Sequence, residues 1–153
     1  MSVSPASSAA RVLPDRDVDR FGGRFAASTA PAPSRAALRP ADDLARIRRA
    51  GSLVHRALQA AGCSVRPGIT TAELDGIASQ VIAAGGGESL FLGYASPTGA
   101  DPFPTSTCIS VNEEVVHGVP GKRTLAAGDM VSIDCGVRLD GWCADAAITL
   151  PVG

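Results

Sequence analysis

A chain of 153 residues, 45% hydrophobic and 19% charged, has the composition of a globular domain, with room for little more than one. Fourteen basic against fifteen acidic residues leave a net charge of −1, which excludes a general electrostatic pull toward nucleic acid or anionic membrane. Four cysteines, Cys63, Cys108, Cys135 and Cys143, are too few and too scattered for a disulfide scaffold, and no apolar run approaches the roughly 18 residues of a membrane span.

Residues 1–37 are rich in Ala, Ser, Pro and Arg and show no sustained apolar period. They lack the apolar centre of a secretory signal, and Asp15, Asp17 and Asp19 disfavour an organellar transit peptide. A disordered extension is the expected state of this stretch.

From Pro40 the pattern changes. Asp42 and Asp43 stand where a helix start favours acids, and Leu44, Ile47, Val54, Leu58 and Ala61 recur at helical spacing. The spacing predicts a helix of about 18 residues, ended by Gly62. His55 lies at the edge of its apolar stripe and reads as structural. After a turn at Arg66-Pro67-Gly68, Thr70 or Thr71 is placed to cap a second helix, with Glu73 in its first turn. Leu74, Ile77, Val81 and Ile82 form the inner face of that helix, and Gly85-Gly86-Gly87 stops it. A loop rich in Pro, Gly, Ser and Thr follows from Gly93 to Thr107. Strands are expected at Cys108–Val111, Val115–Val116, Asp129–Val137 and Trp142–Leu150.

The dipeptide Asp140-Gly141, flanked by strand-type residues, predicts a two-residue hairpin in which Leu139 pairs with Trp142. One face then carries Val131, Ile133, Cys135, Val137, Leu139, Trp142, Ala144, Ala146, Ile148 and Leu150, apolar throughout. The other carries Ser132, Asp134, Gly136, Arg138, Cys143, Asp145, Ala147 and Thr149. Asp134 is diagonal to Asp145, about 7–8 Å away at Cα. Two anions held so close need a proton or a cation between them, and a carboxylate pair suits hard or borderline divalent metals. The alternative is a solvated polar face on which Arg138 neutralises one acid. Cys135 and Cys143 fall on opposite faces and cannot pair with each other, and Cys143 is expected to be a small, half-buried filler.

The run Asn-Glu-Glu-Val-Val-His-Gly-Val-Pro at 112–120, the strand Gly-Asp-Met-Val-Ser-Ile-Asp and the eleven-residue step from Asp134 to Asp145 strongly resemble bacterial type I methionine aminopeptidases. So do LARIRRAGSLVHRALQAAG, RPGITTAELDGIA and FLGY upstream, so that the resemblance spans roughly residues 39–153. It implies an α+β chain with the pita-bread fold: the first αβ half, an antiparallel sheet under two covering helices. By position, Asp134 resembles the chelating aspartate and Asp145 the aspartate bridging two metals. His117 looks like the catalytic histidine that contacts substrate beside the scissile amide. Phe91, Tyr94, Phe103 and Cys108 look like the wall of the methionine pocket, although core packing would also account for Phe91 and Phe103. Cys143 departs from the histidine often found at its position.

The resemblance further implies two divalent ions (Co, Mn, Fe, Zn or Ni), a cytoplasmic location and, as partner, the initiator methionine of nascent polypeptides at the ribosome. No nucleic-acid or membrane partner is expected. The family's remaining ligands, a histidine and two glutamates, come from the second half of its fold and match nothing here. Residues 38–153 thus read as a truncated catalytic domain with weak or absent metal binding and no appreciable turnover alone. Two other readings stay open, a noncatalytic pita-bread interaction protein and an Xaa-Pro peptidase relative.

Overall fold

The computed structural model describes residues 39–95 and 101–153; the expected extension at 1–37 and residues 96–100 of the Pro/Gly-rich loop lie outside them. Two helices come first, α1 (Ala41–Cys63) and α2 (Thr71–Ala84). Four strands follow, β1 (Glu88–Ser89), β2 (Cys108–Val111), β3 (Met130–Leu139) and β4 (Trp142–Pro151).

Helix α1 buries Ala50, Leu53, Val54, Ala57, Leu58 and Ala61, the stripe that its periodicity announces. Two details differ from the expectation. Leu44 is 42% exposed, because the first turn of α1 precedes the part that meets the sheet. Gly62 does not end the helix, which runs on to Cys63; a Cβ at Gly62 would press on Ile148 and Leu150 at 3.1 Å, so this glycine lets α1 approach β4. His55 is exposed.

Thr70 is the residue that caps α2. Its hydroxyl accepts from the Glu73 amide, and the Glu73 carboxylate accepts from the Thr70 amide, a complete capping box. Donation from the Thr70 hydroxyl to the Glu73 carboxylate, and then from the Thr70 amide, holds this exposed carboxyl below its ordinary value. Gly85 and Gly87 do more than stop the helix, since a Cβ at either would collide with the fully buried Leu53. Gly76, by contrast, faces open space in mid-helix. Gly76→Ala is therefore expected to stabilise the chain by about 0.5–1 kcal/mol. An unchanged or lowered thermal midpoint would show that the space beside Gly76 is taken.

The register of the hairpin is the predicted one. Leu139 pairs with Trp142, Asp134 with Ala147 and Gly136 with Asp145. Asp140 and Gly141 both have positive φ, 50° and 79°, as the tight turn requires. Strand β4 covers one edge of β3 along its length, while β2 and β1 pair with the other edge end to end. The two-residue β1 has no periodicity to announce it. Val115–Val116 is not a strand: both side chains are exposed, and the segment belongs to a loop leaving β2.

The helices pack on one face of the sheet. Val131, Ile133, Cys135 and Val137 of β3 join Ile109, Val111 and the helical stripes in one core, with Leu139, Ala144, Ile148 and Leu150 packed against it. Ala146 shares that face in register but is exposed. Burying these β-branched and aliphatic side chains is the main source of stability, at about 25 cal/mol per Å² of apolar surface. The opposite face, which carries the acids, stays open and becomes the floor of the candidate site. Among the described residues no helix is long and apolar enough to cross a membrane.

Candidate metal centre and side-chain pocket

Strand alternation delivers Asp134 and Asp145 to the open face, and the two-residue offset between them makes them diagonal neighbours. The Asp134 carboxyl sits above its ordinary value. Burial is the main cause, followed by the charge and hydrogen bonding of the Asp145 carboxylate, while His117 acts in the opposite direction. Asp134 Oδ1 is buried and has no hydrogen-bond partner, the one such side-chain atom among the described residues. A buried, unpartnered carboxylate oxygen beside a second carboxylate is an unfavourable arrangement that a cation would relieve. The donor set therefore fits a divalent ion, though with two ligands only. Among the described residues there is no cluster of three or more His, Cys, Asp or Glu side chains placed to hold a metal.

Arg138 does not neutralise the pair. Its guanidinium instead faces Glu88 at 3.9 Å. Gly136 lies beneath Asp145 and Phe91, each about 2.9 Å from where a Cβ at this position would stand, so both side chains settle closely on the strand.

His117 reaches the site on the loop between β2 and β3. Gly118 presses this loop onto β2: its carbonyl accepts from the Ile109 amide at 2.8 Å, and its amide donates to Ser110 Oγ at 3.1 Å. His117 itself adopts φ 58°, a left-handed conformation that costs energy for a side chain with a Cβ. The preceding turn is fastened by Arg123, which pairs with Glu113 at 3.3 Å and Glu114 at 3.0 Å.

A cavity of about 880 Å³ opens over this face. All seven residues singled out from the sequence line it: Asp134, Asp145, His117, Phe91, Tyr94, Phe103 and Cys108. Phe91 and Phe103 meet edge to face, with ring centroids 6.5 Å apart. The two arms carrying them are joined by backbone bonds from Gly93 to Phe103 and from Phe103 to Tyr94. Ser89 Oγ pins the first arm, accepting from the amides of Phe91 and Leu92 and donating to the Ser106 carbonyl. Cys108 lies directly opposite Asp134. Its thiol is pushed up to about 11 by burial and by the surrounding carboxylates, so at neutral pH it is an uncharged, polarizable wall.

Leu90, Asp101, Pro104, Val119 and Arg138 also line the cavity, although sequence reasoning assigned none of them to the site. Only Arg138 carried a signal, its place on the acid face in the hairpin register. Cys143 is exposed rather than half buried, because nothing among the described residues covers the polar face of β4. Cys135 is buried on the covered face, its thiol raised to about 12, and all four cysteines are free.

The structure is an α+β layer with a carboxylate pair in its sheet and an apolar pocket beside it, and the comparisons place it among metallopeptidases. Residues 45–153 match the model of metallopeptidase family M24, and the chain belongs to that family. Methionine aminopeptidase 1 of Mycobacterium tuberculosis is 46% identical over 116 residues, 75% of this chain and 41% of that protein. The methionine aminopeptidase of Borreliella burgdorferi is 45% identical over 116 residues, 76% of this chain and 44% of that protein. The crystal structure of methionine aminopeptidase from Rickettsia prowazekii superposes with a TM-score of 0.70 at 32% identity, covering 76% of this chain and 45% of that one. The architecture is thus the first αβ half of the pita-bread fold, and the chain spans less than half the length of the curated relatives it matches.

Proposed function

We propose that this chain carries one half of the active site of a methionine aminopeptidase-type metallopeptidase, which removes the initiator methionine from nascent polypeptides. The observation that carries the reading is the convergence of seven sequence-assigned residues on one cavity, with the unpartnered oxygen of Asp134 at its floor. Residues 38–153 are the catalytic half-domain in this reading, and residues 1–37 an extension without a catalytic role.

Asp134 and Asp145 would hold divalent ions of the Co, Mn, Fe, Zn or Ni type. Such ions supply a water activated for attack on the peptide carbonyl. Phe91, Tyr94, Phe103 and Cys108 offer an apolar, polarizable wall to the unbranched thioether of the first residue. His117, on its strained and latched loop, stands ready to donate a hydrogen bond to the oxygen on which negative charge develops. The latch at Gly118 and the left-handed backbone at His117 fix where this loop lies against β2. The substrate meets the enzyme as an emerging chain at the ribosome, in the cytoplasm.

Two carboxylates are fewer than the three protein ligands typical of catalytic zinc-type sites. The 153-residue chain titrated calorimetrically with Mn²⁺ or Co²⁺ is therefore expected to give weak but saturable heat, and no release of methionine from Met-Ala at enzymatic rates. A chimera that adds the remaining sequence of the Mycobacterium tuberculosis relative is expected to cleave Met-Ala and leave Ala-Pro intact. A chimera that binds no metal would sink the metal reading, and a preference for Ala-Pro would sink the methionine one.

A further inference from the structure

Phe91 and Leu92 are neighbours in the chain but face different spaces. Phe91 lines the cavity over the aspartates, whereas Leu92 lines a second cavity of about 390 Å³ together with Ser79, Glu88, Ser89 and Ser106. The arm from Glu88 to Ala95 thus runs between the two cavities, and none of its side chains is buried. Leu92 and Tyr94 are 57% and 63% exposed. The Phe91 ring meets Phe103 edge to face and rests over Gly136, but the space beside Leu92 is open. Packing alone therefore does not fix the arm.

Hydrogen bonds fix it instead, and they meet at Ser89. Its Oγ accepts from the Phe91 amide at 3.0 Å and the Leu92 amide at 3.1 Å, and donates to the Ser106 carbonyl at 2.8 Å. A serine hydroxyl has one donor and two acceptor sites, so all of its capacity is used. The Phe91 carbonyl accepts from the Tyr94 amide at 2.9 Å, which closes a tight turn, and the Gly93 amide donates to the Phe103 carbonyl at 2.8 Å. The Ser106 anchor is itself fixed. Ser106 and Thr107 are buried. The Ser106 and Ser79 hydroxyls join at 3.2 Å, and the Asp75 carboxylate accepts from both the amide and the hydroxyl of Thr107 at 2.8 Å, which ties this segment to α2. Removing the Ser89 hydroxyl would leave two amides without their acceptor and give the turn open space to move into.

We propose that Ser89 is a positioning residue of the side-chain pocket: acting through Phe91, it holds the wall where the cavity admits an unbranched thioether and rejects a branched side chain. The proposal rests on the reading of the cavity over the aspartates as a site for an N-terminal methionine. An unbranched, flexible chain enters a narrow apolar slot that a branched chain of similar volume does not, and a slot free to widen loses the distinction. Solution NMR of the 153-residue chain tests this in two ways. Amide hydrogen exchange reads the pin, and titration with Met-Ala-amide, Leu-Ala-amide and Ala-Ala-amide reads the pocket.

In the wild type the Phe91 and Leu92 amides are expected to be protected from exchange, and Met-Ala-amide to bind about tenfold more tightly than Leu-Ala-amide. In Ser89→Ala both amides should exchange about tenfold faster, and the preference for methionine over leucine should fall to about twofold. Ser89→Thr keeps the hydroxyl, and its methyl has the second cavity beside it, so this variant should restore protection and preference together. Ser79→Ala removes the bond to Ser106 but leaves both amides their acceptor, so it should keep the preference. Unprotected amides or no preference over leucine in the wild type overturn the proposal and leave the methionine pocket standing. So do a preference that survives Ser89→Ala, one lost equally in Ser79→Ala, and a failure of threonine to rescue. A wild-type chain that does not distinguish Met-Ala-amide from Ala-Ala-amide overturns the pocket reading, and the proposal with it. Because Ser89 lies outside the hydrophobic core, Ser89→Ala should still unfold cooperatively, which separates a lost preference from a lost fold.

Discussion

Gly118→Ala is expected to cost about 3 kcal/mol of stability and to move His117 away from the acid face. A Cβ at Gly118 would collide with the carbonyl group of Ile109 and press on Ser110 Cα, both backbone atoms of β2. That strand is buried along its whole length and is paired with β3, so it cannot yield. The loop must lift instead. It then loses the bond between the Gly118 carbonyl and the Ile109 amide, and that between the Gly118 amide and Ser110 Oγ. Overpacking of this kind costs about 1–3 kcal/mol, and a clash between two backbones belongs at the top of that range. For a folded unit of this size the thermal midpoint should fall by about 12 °C or more. Gly121→Ala, whose Cβ would meet only the Val119 carbonyl at 3.8 Å, should change little and serves as the control. Equal melting of the two variants would show that the loop is not clamped to β2 as described.

Asp134→Asn should raise the stability of the metal-free chain and abolish its response to metal. Oδ1 of Asp134 is buried and unpartnered, and the neighbouring Asp145 adds repulsion. A neutral amide removes the charge and offers Asp145 a donor, which is expected to gain about 1 kcal/mol. In the wild type the Asp134 carboxyl is raised in the folded state, so its contribution is fully present below the unfolded value near 3.8 and is lost as pH rises through the higher folded value. The variant should therefore lose less stability than the wild type between mildly acidic and neutral pH in the presence of a chelator. Calorimetry should show metal affinity reduced by about 100-fold or more, beyond the 10–100-fold lost on removing a supporting partner of a ligand. A variant that is both less stable and still metal-responsive would mean that Asp134 is an ordinary structural acid.

Opposite signs for stability and metal response are the mark of a site held against the preference of the fold. His117 in a left-handed conformation belongs to the same pattern. Gly118 shows none of this strain, yet it confines the loop that carries the histidine.

Much of this was legible locally. A hairpin register depends on one turn and a period of two, so Asp140-Gly141 sufficed to place Asp134 and Asp145 diagonally on one face. Thr70 and Glu73 cap α2 through bonds spanning three residues, and the stripe of α1 follows from a period of 3.6. Family resemblance, carried by the motif 112–120, the aspartate spacing and the FLGY segment, pointed to His117, the pocket aromatics and the two aspartates, and all of them line one cavity. What failed locally was whatever depends on a distant partner. Leu44 and Ala146 have the right period but meet nothing, and Val115–Val116 has strand-forming residues without a neighbour to pair with. Cys143 lacks a cover, and β1 exists only because β3 offers it an edge.

The sequence by itself determined the two helices and the hairpin register, which rest on short-range periodicity, while its resemblance to methionine aminopeptidases pointed to the family and to seven residues that line one cavity. Only the tertiary structure decided that Gly62, Gly85, Gly87 and Gly118 are points of close approach, that Asp134 is left with an unpartnered oxygen, and that Arg138 belongs to the cavity and not to the acid pair. Those are distances between segments far apart in the chain, set by how a layer of helices and a sheet pack together, and no local pattern contains them.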